Sequence, residues 1–408
     1  MVKRPLLPLA IIAVVGSLVS CSGCSTTGRS VGRAEHLPFS KGPTPVMVPT
    51  VAWKDSLDGK LTDLSVAHIS GQTLVSEILE SISENRTQVS LFNASGKRLW
   101  KSIIDAPVRS QAISKSGDWI LLSTYQEELL RLDSGSGKVL WRAKDTGMCR
   151  PLVLEKSSQV LCHHDDDASP GLVFQVFDAE GRRTFEQKAP HDSLLLKVSA
   201  DESRILVGFV KGRIWVLGPD FKKIWEKQLD GEIVDAAISS PSEKGAFIEN
   251  ALLLNHLEFG QSIVTLADKG RSRQEVRQHI PFQQLELSDD GKWLSVYGNG
   301  PRGQAVAQYD TEPQLQEKWS YHSPRYADYN LSMDIVSNWT MLGFESINDR
   351  TRYSHVVALD RQGTMQVHIP ILADEGAYLY SRGVAHSPGM LVLGTDDGVI
   401  SAYRLDLP

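Results

Sequence analysis

The chain has 408 residues, and its 43 basic and 49 acidic side chains give a formal net charge of −6. The charges of both signs are mixed along the chain without a block of either, so nothing in the composition favours nucleic-acid binding.

The N-terminus has the order of a bacterial export signal. Met1-Val-Lys-Arg4 is a short basic region, and an apolar run follows from Leu6 to Val19. That run is too short for a permanent membrane span, which needs about 20 apolar residues. The next residues, Leu18-Val-Ser-Cys21, resemble the lipobox, whose cysteine is lipidated and becomes the new N-terminus after cleavage. We expect lipid on Cys21; an ordinary signal peptide with a chance cysteine, or an uncleaved anchor, is the alternative.

Cleavage before Cys21 divides the chain into three parts. Residues 1–20 are the predicted signal peptide, and residues 21–45 are the predicted lipidated cysteine and tether. The tether is rich in Ser, Thr, Gly and Pro and has too little apolar surface to fold alone. Residues 46–408 are the predicted folded body.

One sequence motif recurs through this body. A strand ends at an Asx residue, a turn marked by Gly or Pro follows, and the next strand carries a large apolar residue. Asp or Asn at the start of a turn accepts backbone N–H bonds, and Gly supplies positive φ. Copies begin at intervals of 40 to 50 residues, at Asn93, Asp133, Asp178, Gly218, Asp268, Asp310 and Asp360. The aromatic residues at the ends of the clearest copies are Trp100, Trp141, Phe185 and Trp225, and a weaker copy ends at Trp319.

A second motif, which consists of a strand, a polar turn and another strand, precedes several copies of the first motif by about 20 residues. Ala112 to Ser123 and Leu285 to Val296 are two examples. Two hairpins in about 45 residues make four strands, which is the size of a propeller blade. The fold class is therefore predicted to be all-β, a single β-propeller; a β-sandwich would not need a sustained period.

The chain ends predict how the ring closes. The C-terminal Leu405-Asp406 begins another copy of the first motif but lacks its outer strand, and Val51-Ala-Trp53 near the N-terminus supplies a matching strand. Pairing the two ends would remove exposed sheet edges. This closure predicts eight four-stranded blades; seven is the alternative, because the copies near Asp268 and Asp360 are degraded.

Two features of the third repeat have chemical potential. Cys149 and Cys162 flank a predicted hairpin, so a disulfide between them is one hypothesis and free thiols are the other. The run His163-His-Asp-Asp-Asp167 contains metal-ligand types, but alternate strand residues point to opposite faces. We interpret it as a solvated loop before the turn at Pro170 and predict no metal site.

The motif from Asp133 to Trp141 resembles the tryptophan-docking repeat of quinoprotein-like (PQQ-type repeat) propellers. In that family the tryptophan of each outer strand packs on the adjacent blade. A lipobox followed by one propeller of this length is similar to the BamB-like lipoproteins, docking subunits of the outer-membrane β-barrel assembly machine. True quinoproteins use adjacent cysteines and calcium, and this chain has no Cys-Cys pair. The resemblance thus implies no cofactor and no catalysis.

The sequence predicts a monomeric propeller that acts as a scaffold for other cell-envelope proteins and reaches the membrane through its lipid. By resemblance to lipoprotein sorting in Gram-negative bacteria, Ser22 favours the outer membrane, facing the periplasm. Two alternatives stay open: an enzyme such as a hydrolase, with its site in the central funnel, and a sensor of small ligands or glycans in the same funnel.

Overall fold

The computed structural model describes seventeen stretches of the chain, and every regular element in them is a β-strand. These stretches are residues 49–79, 86–165, 172–189, 193–209, 211–239, 244–251, 261–268, 271–278, 282–288, 290–300, 303–323, 328–336, 339–348, 351–371, 379–387, 389–395 and 398–405. The predicted signal peptide, Cys21 and the tether lie outside them.

The strands of the first half of the chain are β1 (Val51–Ser56), β2 (Lys60–Val66), β3 (Thr73–Ile78), β4 (Thr87–Phe92), β5 (Arg98–Ile104), β6 (Val108–Ile113), β7 (Trp119–Thr124), β8 (Leu129–Asp133), β9 (Val139–Ala143), β10 (Arg150–Leu154), β11 (Gln159–Asp165), β12 (Leu172–Phe177), β13 (Arg183–Ala189), β14 (Ser193–Val198), β15 (Ile205–Phe209), β16 (Arg213–Leu217) and β17 (Lys223–Gln228).

The strands of the second half are β18 (Glu232–Ile238), β19 (Lys244–Ala251), β20 (Gln261–Asp268), β21 (Arg271–Gln278), β22 (Phe282–Leu287), β23 (Trp293–Gly300), β24 (Gly303–Asp310), β25 (Gln316–Ser323), β26 (Asp328–Val336), β27 (Trp339–Asn348), β28 (Thr351–Leu359), β29 (Met365–Ile371), β30 (Leu379–Ser387), β31 (Met390–Thr395) and β32 (Val399–Arg404).

The strands form eight antiparallel sheets of four strands each. Blades 1 to 7 are consecutive meanders, from β2–β5 for blade 1 to β26–β29 for blade 7. Blade 8 has the order β1-β32-β31-β30, with Trp53 opposite Ala402. The prediction of eight blades closed by the two chain ends is confirmed, and the alternative of seven is wrong.

The burial of each strand follows from its place in the blade. Every side chain of the middle strands β4 and β12 is buried, because neighbouring blades cover both faces of the sheet. The outer strand β5 instead alternates between exposed and buried residues. The core therefore consists of layers between adjacent blades, such as the cluster that joins Leu91 and Trp100 of blade 1 to Ile120 and Leu132 of blade 2.

The polar turn between the first two strands of a blade is organised by a buried serine. Ser114 Oγ accepts the backbone N–H of Trp119 at 3.1 Å, and Ser288 Oγ accepts that of Trp293 at 3.2 Å. These bonds explain why the second motif, the strand–polar turn–strand pattern, has a serine at the end of its first strand.

The ring is secured where the chain passes from blade 8 to blade 1. Leu57 donates its backbone N–H to the Gly398 carbonyl at 2.7 Å. The carboxylate of the fully buried Glu77 accepts the N–H of Gly59 at 2.8 Å and Nε2 of Gln88 at 2.7 Å. A buried carboxylate needs such partners to offset its desolvation, and here they fix the crossing segment.

The interpretation of residues 163–167 as a solvated loop is wrong for its first part. His163, His164 and Asp165 continue strand β11, where they pair with β12. The reason is that the hairpin extends beyond the turn sequence used to predict its end. Asp166 and Asp167 lie outside the described residues.

Candidate functional site

The predicted repeat residues lie at the contacts between blades. Four docking tryptophans each cover a glycine in the Asx turn of the next blade: Trp53 covers Gly96, Trp100 covers Gly137, Trp141 covers Gly181 and Trp319 covers Gly363. A Cβ atom built on any of these glycines would lie within 2.3 to 2.6 Å of the indole or its neighbours, and all four have φ between +70° and +79°. Glycine is thus required both by the turn and by the ring above it.

Hydrogen bonds fix two of these indoles. Trp100 Nε1 donates to the Ser134 carbonyl at 2.8 Å, and Trp141 Nε1 donates to the Ala179 carbonyl at 3.0 Å. The guanidinium of Arg131 bonds to the same Ala179 carbonyl at 2.7 Å. Trp100 and Trp141 therefore each join their blade to the next by both packing and a polar bond.

The Asx residues close the turns on which the rings rest. Asn93 Oδ1 accepts the N–H groups of Ser95 and Lys97, at 3.0 and 2.9 Å. Asp178 and Asp360 accept the equivalent pairs of backbone N–H groups, at 2.8 to 3.1 Å. Asp133 instead accepts Oγ of Ser136 at 2.6 Å, and Asp310 forms an ion pair with Lys318 at 2.6 Å.

Blade 3 meets blade 4 through a different pair. Phe185 occupies the tryptophan position of β13 and stacks on Phe221, with 5.2 Å between ring centroids. Phe221 has φ of +61° at the position that is glycine in the four turns covered by tryptophan. Trp225 of blade 4 packs against an apolar cluster that includes Leu206 and Ile233. Between blades 5 and 6, the docking contact is a hydrogen bond from the Leu315 N–H to Gln274 Oε1.

The repeat residues are thus occupied with holding the ring, and a different surface presents side chains for contact. It lies at the end of blades 2 and 3 that carries the β7–β8 turn and the β9–β10 connection. Tyr125 is 58% exposed and Met148 is 38% exposed. Arg150 is exposed at the start of β10, and Arg109 is partly exposed on β6. We call these four residues the Tyr125–Arg150 surface.

The backbone under this surface is fixed at several points. Tyr125 N–H donates to the Pro107 carbonyl at 3.0 Å, and Thr146 donates through both N–H and Oγ1 to the Glu127 carbonyl. Arg109 donates to the Met148 carbonyl. The surface is therefore preorganised, which lowers the ordering cost of binding.

A disulfide joins the fully buried Cys149, next to Met148, to Cys162 of β11, with 5.5 Å between their Cα atoms. It links the β9–β10 connection to the neighbouring strand and so supports the Tyr125–Arg150 surface from below.

Two guanidinium groups of this surface lie near His163. Burial and the charges of Arg150, His164 and Arg109 lower the pKa of His163 to about 4, so its imidazole is neutral at physiological pH. Sequence reasoning missed the four surface residues, because a lone Tyr or Met in a turn has no motif; only their exposure distinguishes them.

The central channel carries one charged cluster in the described residues. Lys197 of blade 4 lies 3.9 Å from Asp235 of blade 5 and 3.3 Å from Glu286 of blade 6. Burial raises the pKa of Asp235 in spite of Lys197, and its carboxylate also accepts the Leu285 N–H at 2.9 Å. These contacts link the inner strands of three consecutive blades.

Neither a metal centre nor a membrane-spanning helix emerges from the described ranges. No three His, Cys, Asp or Glu side chains there are grouped to hold an ion. No helix in the same ranges is long and apolar enough to cross a membrane.

Comparisons with known proteins agree with this architecture. Residues 85–248 match the family model PQQ_2, described as outer membrane protein assembly factor BamB. The chain is 25% identical over 244 residues to the outer membrane protein assembly factor BamB of Burkholderia pseudomallei (strain K96243), a match that spans 57% of this chain and 58% of that protein.

Two solved structures show the same fold. BamB from Moraxella catarrhalis superposes with a TM-score of 0.57 at 16% identity, over 89% of this chain and 99% of that one. Chaetomium thermophilum Sqt1, bound to the N-terminus of the ribosomal protein L10, superposes with a TM-score of 0.64 at 11% identity, over 86% and 100%.

Proposed function

We propose, from the similarity of the chain to BamB proteins in sequence and fold, that it is a lipid-anchored docking platform that serves outer-membrane protein assembly from the periplasmic side. The proposal assigns no reaction to the chain. It extends to a monomeric propeller held at the outer membrane by lipid on Cys21.

The Tyr125–Arg150 surface is the observation that carries the proposal. Tyr, Met and Arg are enriched at protein interfaces, and Tyr and Arg dominate their hot spots. Here such residues are exposed on a backbone held by hydrogen bonds and a disulfide. The positive charge of Arg109 and Arg150 favours a partner segment with acidic side chains.

The channel cluster does not favour the enzymatic alternative. A catalytic carboxylate with a raised pKa would be a candidate for acid–base chemistry. The Asp235 carboxylate, however, is bonded to the backbone of blade 6 and faces Lys197. A structural link between blades accounts for these contacts.

Site-specific photocrosslinking in cells tests the platform directly. A benzophenone amino acid at position 125 or 148 should give an adduct identified by mass spectrometry as an outer-membrane assembly protein. The same group at position 224, an exposed residue of blade 4, is the control. No adduct at 125 or 148, or equal adducts at all three positions, would contradict the proposal.

Binding measured with the identified partner then tests the side chains. Tyr125→Ala and Arg150→Ala should each weaken the complex by about 30-fold, the effect of a hot-spot residue worth about 2 kcal/mol. Ile224→Ala should leave it unchanged.

The anchor has its own test. Mass spectrometry of the mature N-terminal peptide should find lipid on Cys21, and fractionation should place it in the outer membrane. Unmodified Cys21 would refute the anchor but leave the docking surface untouched.

A further inference from the structure

A strip of exposed apolar side chains runs along the outer edge of three consecutive blades. Val51 lies on β1 of blade 8, Leu99 and Ile103 on β5 of blade 1, and Val139 and Leu140 on β9 of blade 2. They are between 42% and 55% exposed. We call these five residues the rim strip.

The strip is apolar where neighbouring outer strands are polar. On β13 of blade 3 the exposed residues are Arg183, Thr184, Glu186, Gln187 and Lys188. On β17 of blade 4 one large apolar residue, Ile224, is exposed among charged ones. Single apolar residues are normal on a surface, whereas these five are concentrated on the outer strands of three adjacent blades.

Basic residues alternate with the apolar ones. Strands β1, β5 and β9 carry four basic residues, Lys54, Arg98, Lys101 and Arg142, and one acidic residue, Asp55. Arg98 is paired within the fold with Asp55 and Asp58, at 3.1 and 3.9 Å, so Lys54, Lys101 and Arg142 are the basic residues of these strands that are exposed. Lys101 and Arg142 remain about half-exposed while they pair with Asp58 and Glu128.

Apolar side chains interleaved with basic ones are the composition of surfaces that lie in a membrane interface. The apolar groups enter the boundary between headgroups and acyl chains, and the long basic side chains reach anionic phosphates. The apolar part alone would suit a protein partner, whereas the exposed basic side chains among the apolar ones favour an anionic bilayer.

The position of the strip in the chain supports the same occupant. Strand β1 is where the chain enters the fold, and Val51 is thirty positions after Cys21. If Cys21 carries lipid, blades 8 and 1 are therefore the part of the ring held closest to the bilayer.

We propose that the rim strip rests on an anionic phospholipid surface, an inference that rests on the proposed lipid anchor. The propeller is then held edge-on by the lipid and by the outer strands of blades 8, 1 and 2. The Tyr125–Arg150 surface, at the end of the ring, stays open to protein partners.

The test uses the purified full mature chain in vesicles of phosphatidylcholine, with or without phosphatidylglycerol. A benzophenone amino acid is placed at position 99, 140 or 224, which are 42%, 55% and 47% exposed in the native protein. Irradiation should give lipid adducts at 99 and 140 at least fivefold above 224. Adducts should fall when phosphatidylglycerol is omitted or salt is raised, because salt screens exposed charges.

Equal adducts at the three positions, or none at 99 and 140, overturn the proposal. So do crosslinks from 99 and 140 to another protein, or to a second copy of this chain, when the experiment is repeated in cells. The mass of the N-terminal peptide is measured in the same preparation. Lipid on Cys21 without rim adducts refutes the strip alone, and rim adducts without lipid on Cys21 support the strip and refute the anchor.

Discussion

The Phe185–Phe221 pair offers a test of how the blades recognise one another. At four other contacts between blades a tryptophan covers a turn glycine, as Trp141 covers Gly181. Between blades 3 and 4 both members differ, and the two phenyl rings fill the contact together. The double substitution Phe185→Trp with Phe221→Gly should restore the common contact, whereas each single change should leave a misfit.

The magnitudes follow from the geometry. Phe221 is 7% exposed, and truncating a buried Phe costs about 3–5 kcal/mol. Relief of its left-handed backbone returns about 1–2 kcal/mol, so Phe221→Gly should cost about 1–4 kcal/mol. Phe185→Trp alone crowds the ring of Phe221, and such overpacking costs about 1–3 kcal/mol. In the double variant the indole fills the space that Phe221 leaves, so the two effects should couple by about 2 kcal/mol.

Urea unfolding followed by far-ultraviolet circular dichroism measures the free energy of unfolding of the four proteins, with the slope on urea checked for constancy. A second cycle that combines Phe221→Gly with Ile120→Val, buried in blade 2, should be additive because the sites share no contact. Additivity in the Phe185–Phe221 cycle as well would refute the idea that the two residues substitute for a Trp–Gly contact as a unit.

Three further predictions concern the turns, the histidine and the disulfide. Gly137→Ala should lower the free energy of unfolding by about 2–5 kcal/mol through positive φ and collision with the overlying ring; Gly135→Ala, whose Cβ would meet a single side chain at 3.4 Å, should change it little, and equal effects in urea melts would contradict the docking geometry. The pKa of His163 is lowered to about 4 in the fold, so its protonation favours the unfolded chain: as pH falls from about 6.5 to about 4, the protein should lose up to about 3 kcal/mol. His163→Gln should remove that loss from the pH profile of urea midpoints, and an identical profile in the variant would disprove it. Replacing both Cys149 and Cys162 by Ala should cost about 3 kcal/mol for a loop of this length; because both are fully buried, brief reductant should leave the native protein unchanged, and a loss equal to that of the variant would argue against this burial.

Much of the fold was predictable because its signals are local. An Asx residue, a glycine three or four positions later and an aromatic residue on the next strand describe one turn and one hairpin. Their repetition from Asn93 to Asp360 predicted the blades, and Trp53 predicted the closure that pairs Trp53 with Ala402. The same reading failed at His163, because the length of a paired strand depends on its neighbour as well as on its own residues.

The contacts across blades and the exposed surfaces were decided by the tertiary structure alone. That Phe221 replaces a glycine becomes intelligible once Phe185 of the preceding blade is above it. Tyr125 and Met148 belong to no sequence motif. They form one surface because the fold brings the β7–β8 turn and the β9–β10 connection together. The hydrogen bonds of a turn involve a few successive residues, so the sequence alone predicts them. The contacts between blades join residues about 20 to 40 positions apart and form only when neighbouring blades pack together.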